Sequence, residues 1–133
     1  MKLKRFTQAG LVAATVAVAG LGLALPASAS GSITCWDYIC KASAGSGPKY
    51  YEAQVDNNPA SGAASWIWVW SNNAFTSHID YYLKGDGTMH KYYSQEFGAN
   101  SMNVSKDVTA FRVCGPNGGG GDTCTSTWAH PKY

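Results

Sequence analysis

The sequence predicts an all-β protein, a small disulfide-bonded β-sandwich or barrel of roughly six to eight short antiparallel strands. Apolar and polar residues alternate in several short runs, which is typical of strands with one buried face. Gly, Asn, Pro and Asp separate these runs at intervals of about ten residues, as in sandwiches and small barrels. Near the C-terminus, two cysteines bracket a glycine-rich segment, which indicates the base of a hairpin.

The first 29 residues read as a secretory signal peptide. A basic start containing Lys2, Lys4 and Arg5 is followed by an uncharged, apolar stretch over residues 9–25 and by small residues up to Ala29. This order of basic, apolar and small residues is typical of a cleaved export signal. The apolar stretch, about 17 residues, is short of the ~20 that span a membrane. We therefore expect cleavage after Ala29 and one secreted β domain over residues 30–133.

Removing the signal changes the charge of the protein. The full chain has a net charge of +2, but residues 30–133 keep seven basic against eight acidic residues, a net charge of −1. The exported part contains no basic run that would suggest nucleic acid or an anionic membrane as a partner. We expect neither partner for the mature domain, and we expect a monomer.

All four cysteines lie in the exported part, and an even number in an oxidising compartment predicts two disulfides. The local pairing, Cys35 with Cys40 and Cys114 with Cys124, is favoured over pairings that join the two ends of the domain. Residues 115–123 contain a Pro-Asn-Gly sequence and four consecutive glycines, which favour chain reversal between the second pair. Neither pair has the spacing of zinc ligands, so the sequence predicts no metal and no cofactor.

Seven segments are predicted to be strands: residues 33–39, 50–56, 65–71, 77–84, 89–93, 106–114 and 124–129. Residues 42–48 are rich in small side chains and are predicted to form a loop, and residues 97–103 are predicted to be irregular. If residues 85–87 form a three-residue turn, Ile79 faces Tyr93 and Leu83 faces Met89. That register keeps apolar side chains on one face of the hairpin.

The most distinctive segment is Trp66, Ile67, Trp68, Val69, Trp70. In a strand the three indoles share one face, in a row about 13 Å long at ~3.3 Å per residue. Such a row fits two interpretations. The sequence slightly favours the first, in which large rings fill the space between two sheets. In the second, the rings form a flat platform on which sugar rings stack, as in many carbohydrate-binding modules. Ile67 and Val69 on the opposite face are themselves good core residues.

Three adjacent tyrosine pairs occur, at positions 50–51, 81–82 and 92–93. In strands each pair divides, with one ring on each face, so part of this aromatic surface is expected to reach solvent. Solvent-facing tyrosines with few charges suit a binding surface, although large rings also compensate for a thin core. The candidate ligand-binding residues are Trp66, Trp68, Trp70, Tyr82 and Tyr92.

No catalytic residue is predicted. The disulfides consume every thiol, and no serine lies in a nucleophile-elbow sequence. Asp80 could form a dyad with His78 or His90, but a histidine on the outer face of a strand is usually a solvated side chain. The sequence therefore predicts a protein that is not an enzyme.

In its signal peptide, size and cysteine-bounded hairpin, the chain is similar to the small secreted, two-disulfide β-proteins of high-GC Gram-positive bacteria. That group includes enzyme inhibitors, small-molecule carriers and antibacterial toxins, and the similarity assigns no functional residue. We expect a secreted, non-enzymatic binding protein whose partner is extracellular polysaccharide or cell-wall surface, or another secreted or surface protein. The alternatives are a protein-directed agent, meaning a protease inhibitor or antibacterial toxin that uses the 114–124 loop, and an extracellular structural or coat protein.

Overall fold

The computed structural model describes residues 31–133. The predicted signal peptide, residues 1–29, lies outside the described residues. Nine strands are present in the described part: β1 (Ser32–Trp36), β2 (Ile39–Ser46), β3 (Lys49–Asp56), β4 (Ser65–Ser71), β5 (His78–Leu83), β6 (His90–Tyr93), β7 (Ala99–Val104), β8 (Val108–Pro116) and β9 (Asp122–Cys124). Within residues 31–133 there is no helix long and apolar enough to cross a membrane.

The strands form two antiparallel sheets that pack as a sandwich, which confirms the predicted fold class. The five-stranded sheet has the order β1-β2-β3-β4-β7, and the four-stranded sheet has the order β6-β5-β8-β9. Every neighbouring pair is antiparallel. Strand β4, which carries the three tryptophans, lies inside its sheet between β3 and β7, so both of its edges are hydrogen-bonded.

The core lies between the sheets and combines small side chains from β2 and β3 with large ones from both sheets. Strands β2 and β3 contribute alanines such as Ala42 and Ala53, both fully buried, whereas β8 contributes Phe111 and Val113. The phenol of Tyr51, 2% exposed, donates a hydrogen bond of 3.1 Å to the carbonyl oxygen of Thr123 and so links the two sheets. Large rings from both sheets, Tyr51 of β3 and Phe111 of β8, fill the depth that the alanines leave free.

Both disulfides join neighbouring strands, as the sequence favoured. Cys35 and Cys40 are direct partners across β1 and β2, with Cα atoms 4.1 Å apart. Cys114 and Cys124 are direct partners across β8 and β9, with Cα atoms 3.9 Å apart. The second bond closes the base of the glycine-rich hairpin.

The N-terminal strands differ from the prediction. Residues 33–39 do not form one strand, because the chain reverses at Asp37, which adopts a φ of +50°, a conformation that aspartate tolerates better than most residues. Residues 42–46 are part of β2 and not of a loop. Ala42 and Ala44 face the core and are fully buried. The small side chains of this segment therefore reflect close packing against the core and do not indicate a loop.

The edge strand β7 also departs from the prediction of an irregular segment. Ala99–Val104 pairs along the full length of β4, with Ser101 opposite Trp68. The chain enters this strand through Phe97, which has a φ of +47°. Residues 101–104 do alternate, with Met102 and Val104 packed against the core, but this run is short and the polar Asn100 precedes it.

The predicted register of β5 with β6 is wrong by one residue. Ile79 faces Tyr92 and Tyr81 faces His90, so Tyr93 is on the outer face of the sheet with His78. The connection between these strands is longer than the three residues assumed, because it extends from Lys84 to Met89. A shift of the register by two residues would have left each side chain of β6 on its predicted face of the sheet. A shift by one residue moves each of them to the opposite face.

Candidate functional site

The three tryptophans of β4, here called the tryptophan row, face away from the core. Ile67 and Val69 are fully buried on the inner side, whereas the tryptophans between them are half-buried. The interpretation in which the indoles fill the space between the sheets therefore does not hold. The interior already contains Phe111 and the Tyr51 ring, so the smaller aliphatic face of β4 fits there and the indoles remain on the outer surface.

Polar side chains flank the tryptophan row on both sides. Strands β3 and β7 present their own outward residues beside each indole. Asp56 and Asn103 flank Trp66, Gln54 and Ser101 flank Trp68, and Glu52 and Ala99 flank Trp70. Directly opposed residues in a sheet have Cβ atoms about 5 Å apart, so amide, hydroxyl and carboxylate groups lie within reach of a molecule resting on the rings. The face thus combines flat apolar surfaces with hydrogen-bonding groups.

One end of this face is held by a fixed polar network. The hydroxyl of Tyr50 donates to Glu52 Oε1 at 2.7 Å, and Lys41 Nζ lies 2.7 Å from Glu52 Oε2. The ring of Tyr50 meets Trp70 edge-on, with centroids 6.1 Å apart. Since the lysine neutralises the glutamate, this end of the surface has ordered polar groups without a net charge.

The structure does not bring Tyr82 and Tyr92 to the tryptophan row. Tyr82 lies on the outer face of the four-stranded sheet, against the ring of Trp128 at 5.3 Å. Tyr92 points between the sheets, packs on the core and donates a hydrogen bond of 3.0 Å to the carbonyl oxygen of Ser101. The prediction that Tyr82 and Tyr92 join the tryptophans in one site is therefore wrong. Alternation shows which residues of one strand share a face, but only the topology shows that β5 and β6 belong to a different sheet from β4.

A charged cluster on the outer face of the four-stranded sheet contains the His78–Asp80 pair considered from the sequence, together with Arg112 and Asp122, which were not predicted to join it. It consists of His78, Asp80, Arg112 and Asp122. Asp80 is 1% exposed and accepts two hydrogen bonds on Oδ2 from Arg112, from Nε at 3.0 Å and from a terminal nitrogen at 2.9 Å. Lys91 Nζ approaches the other oxygen of Asp80 at 3.8 Å. Cross-strand pairing of Asp80 with both Arg112 and Lys91 explains this arrangement.

His78 lies between two carboxylates and is not the solvated side chain expected from the sequence. It is 3% exposed, and Tyr93 covers it with ring centroids 5.3 Å apart. Its Nε2 is hydrogen-bonded to Asp122 Oδ2 at 3.0 Å. Its Nδ1 lies 2.9 Å from Asp80 Oδ1 without the alignment of a hydrogen bond. The spacing His-x-Asp, with both residues on one strand face, was the available signal for the cluster.

The cluster has the composition of a catalytic or metal site, but its central atoms are closed off from solvent. His78 is 3% exposed and both of its ring nitrogens face carboxylates, so the ring offers little access to a substrate. His78, Asp80 and Cys114 lie close enough together to hold a metal ion, but the Cys114 sulfur is bonded to Cys124, and only a thiolate ligates well. The geometry is that of an ion-pair network that joins β5, β8 and β9.

The comparisons with known proteins give no further guidance, since no protein-family model, curated protein or solved structure matches the chain significantly. The candidate site is therefore defined by its geometry alone.

Proposed function

We propose that this chain is a secreted, non-enzymatic binding module whose tryptophan row binds extracellular polysaccharide. The observation that carries the proposal is the outward orientation of three indoles along one fully paired strand. Aromatic rings on a flat sheet offer contact to the C–H faces of sugar rings, and indoles supply much apolar area at low conformational cost. The predicted export signal and the two disulfides are compatible with an extracellular location.

The polar neighbours of the row support a neutral polysaccharide as the ligand. Gln54, Ser101 and Asn103 offer uncharged hydrogen-bonding groups on either side of the rings. Glu52 is already paired with Lys41, and the carboxylate of Asp56 accepts a hydrogen bond from the backbone amide of Asn58. A linear chain lying along β4 would contact the indoles through its ring faces and these groups through its hydroxyls.

Pull-down on insoluble glucan, chitin and peptidoglycan tests the proposal. We expect at least one of these polysaccharides to retain residues 30–133. Trp68→Ala should weaken retention about tenfold, because losing half of an indole's contact removes roughly 1.5 kcal/mol of binding free energy.

Trp128→Ala is the matched control, since Trp128 is also half-buried but lies on the opposite sheet, beside Tyr82. It should leave retention unchanged if its near-UV circular dichroism shows a folded protein. Equal retention of Trp68→Ala and the parent would overturn the proposal, as would the absence of retention on all three polysaccharides.

A further inference from the structure

One end of the sandwich contains a cavity of about 320 Å³ between the β8–β9 hairpin and the segment that joins β4 to β5. Three glycines of the hairpin line it together with Lys49, Phe75, Pro116 and Asp122. This volume is within the range of small-molecule sites. We call it the hairpin cavity, and it lies apart from the tryptophan row, which faces outward from β4.

The apolar wall of the hairpin cavity is held in place although it is open to solvent. Phe75 is 63% exposed, which leaves most of its ring without a packing partner. Its backbone is fixed on both sides, because its amide donates to Asn73 Oδ1 at 2.9 Å and its carbonyl accepts from Ser71 Oγ at 2.9 Å. A ring presented on an ordered loop loses little entropy when a ligand covers it.

The charge of the cavity comes from Lys49. Within residues 31–133, Lys49 makes no salt bridge. The hairpin closes on its ammonium group: a Cβ atom at Gly118 would lie only 2.2 Å from Nζ. Gly118 has a φ of +84°, so the backbone conformation favours glycine there. The hairpin backbone therefore lies beside an exposed ammonium group that has no salt bridge among the described residues.

The one acidic residue of the lining is already engaged. Asp122 Oδ2 is hydrogen-bonded to His78 Nε2 at 3.0 Å, on the side of the charged cluster. Lys49 is therefore the charge in the lining that has no partner. A single ammonium is a point charge and lacks the fork of donors with which arginine binds phosphate or sulfate in bidentate fashion.

We propose that the hairpin cavity binds a small organic carboxylate with an apolar body. The carboxylate pairs with Lys49, and the apolar body covers Phe75 and Pro116. A monoanion can pair with the exposed Lys49, whereas a neutral ligand would gain no ion pair there. The ligand class differs from that of the tryptophan row, so the site adds a second binding activity to the chain.

Amide NMR titration of residues 30–133 with sodium benzoate tests this inference at constant ionic strength adjusted with sodium chloride. We expect saturable shifts confined to the amides of Phe75 and of residues 117–122. Lys49→Gln should weaken benzoate binding about tenfold, whereas Lys106→Gln, an exposed lysine in the connection between β7 and β8, should leave it unchanged.

Benzylamine and benzyl alcohol have nearly the same apolar body without the negative charge, so they should bind at least tenfold more weakly than benzoate. Equal binding of the three compounds would refute the carboxylate assignment. Absent or non-saturable shifts, or unchanged affinity in Lys49→Gln, would refute the site itself. Trp68→Ala should bind benzoate normally, so a failure of the polysaccharide proposal can be distinguished from a failure of this one.

Discussion

Replacing Asp80 with asparagine removes the negative charge at the centre of the charged cluster while keeping the size of the side chain. Asp80 is 1% exposed and receives two hydrogen bonds from Arg112, with His78 and Lys91 close to its other oxygen. Breaking a buried ion pair by removing one partner destabilises proteins by about 3–5 kcal/mol, because the remaining charge is left uncompensated.

The expected loss lies at the lower end of that range. The Arg112 side chain is 31% exposed and that of Lys91 is 42% exposed, so both cations can regain part of their hydration. We therefore expect Asp80→Asn to lower the free energy of unfolding by about 3 kcal/mol. That is a large share of the total stability of an ordinary domain, about 5–15 kcal/mol.

Urea denaturation at pH 7 with both disulfides intact measures the loss of stability. If the unfolding free energy depends on urea concentration with the same slope in the parent and the variant, the two unfolding free energies can be compared directly. Asp107→Asn is the matched control, because Asp107 forms only a long, solvent-accessible contact with Lys84 at 3.5 Å and should lose at most about 1 kcal/mol. If Asp80→Asn is no more destabilised than this control, the buried cluster does not hold the sheet as described. Adding Arg112→Met to Asp80→Asn should recover part of the loss, as expected for residues in direct contact.

Three further predictions concern turns and titrating groups. Gly45→Ala should destabilise the protein far more than Gly47→Ala in the same urea assay: an alanine Cβ at position 45 would lie 1.8 Å from a main-chain oxygen, whereas position 47 has free space and bears only the left-handed strain, about 1–2 kcal/mol. Burial raises the pKa of Tyr51 above 10.0, so the stability that its neutral phenol contributes below pH 10 should be lost as the pH rises through the folded value, and the loss should be smaller in Tyr51→Phe. The backbone amide of Thr88 and the other hydrogen bonds to Asp86 lower the pKa of this carboxyl from 3.8 to about 2. The stability that the ionised Asp86 contributes should therefore be fully present above pH 3.8 and be lost as the pH falls through about 2. A carboxyl NMR titration of Asp86 with a midpoint near 4 would contradict this.

Alternation along single strands determined much of the local arrangement from the sequence. It correctly placed Trp66, Trp68 and Trp70 on one face and Ile67 and Val69 on the other, because successive side chains of a strand point to opposite sides. The glycine-rich segment likewise favoured the local pairing of Cys114 with Cys124. The alternation of β4 and the pairing of Cys114 with Cys124 both involve residues that lie close together in the chain, so the sequence is enough to predict them.

The sequence could not decide contacts between distant segments. The inner position of Phe111 and Tyr51, on two other strands, decides which face of β4 turns inward. Cross-strand pairing of Asp80 with Arg112 across 32 positions produces the charged cluster, and the His-x-Asp spacing alone does not reveal the partner. Strand β7 alternates only over residues 101–104, and its pairing with the edge of β4 completes the strand.

The sequence by itself thus predicted the fold class, favoured the local pairing of both disulfides and placed the three tryptophans on one face. Only the tertiary structure decided that this face is the outer one, that Tyr82 and Tyr92 lie elsewhere, and that Lys49 and Phe75 meet the glycine hairpin around a cavity. The physical reason is that a strand's period divides its side chains into two faces, whereas the volume available in the core decides which face is buried.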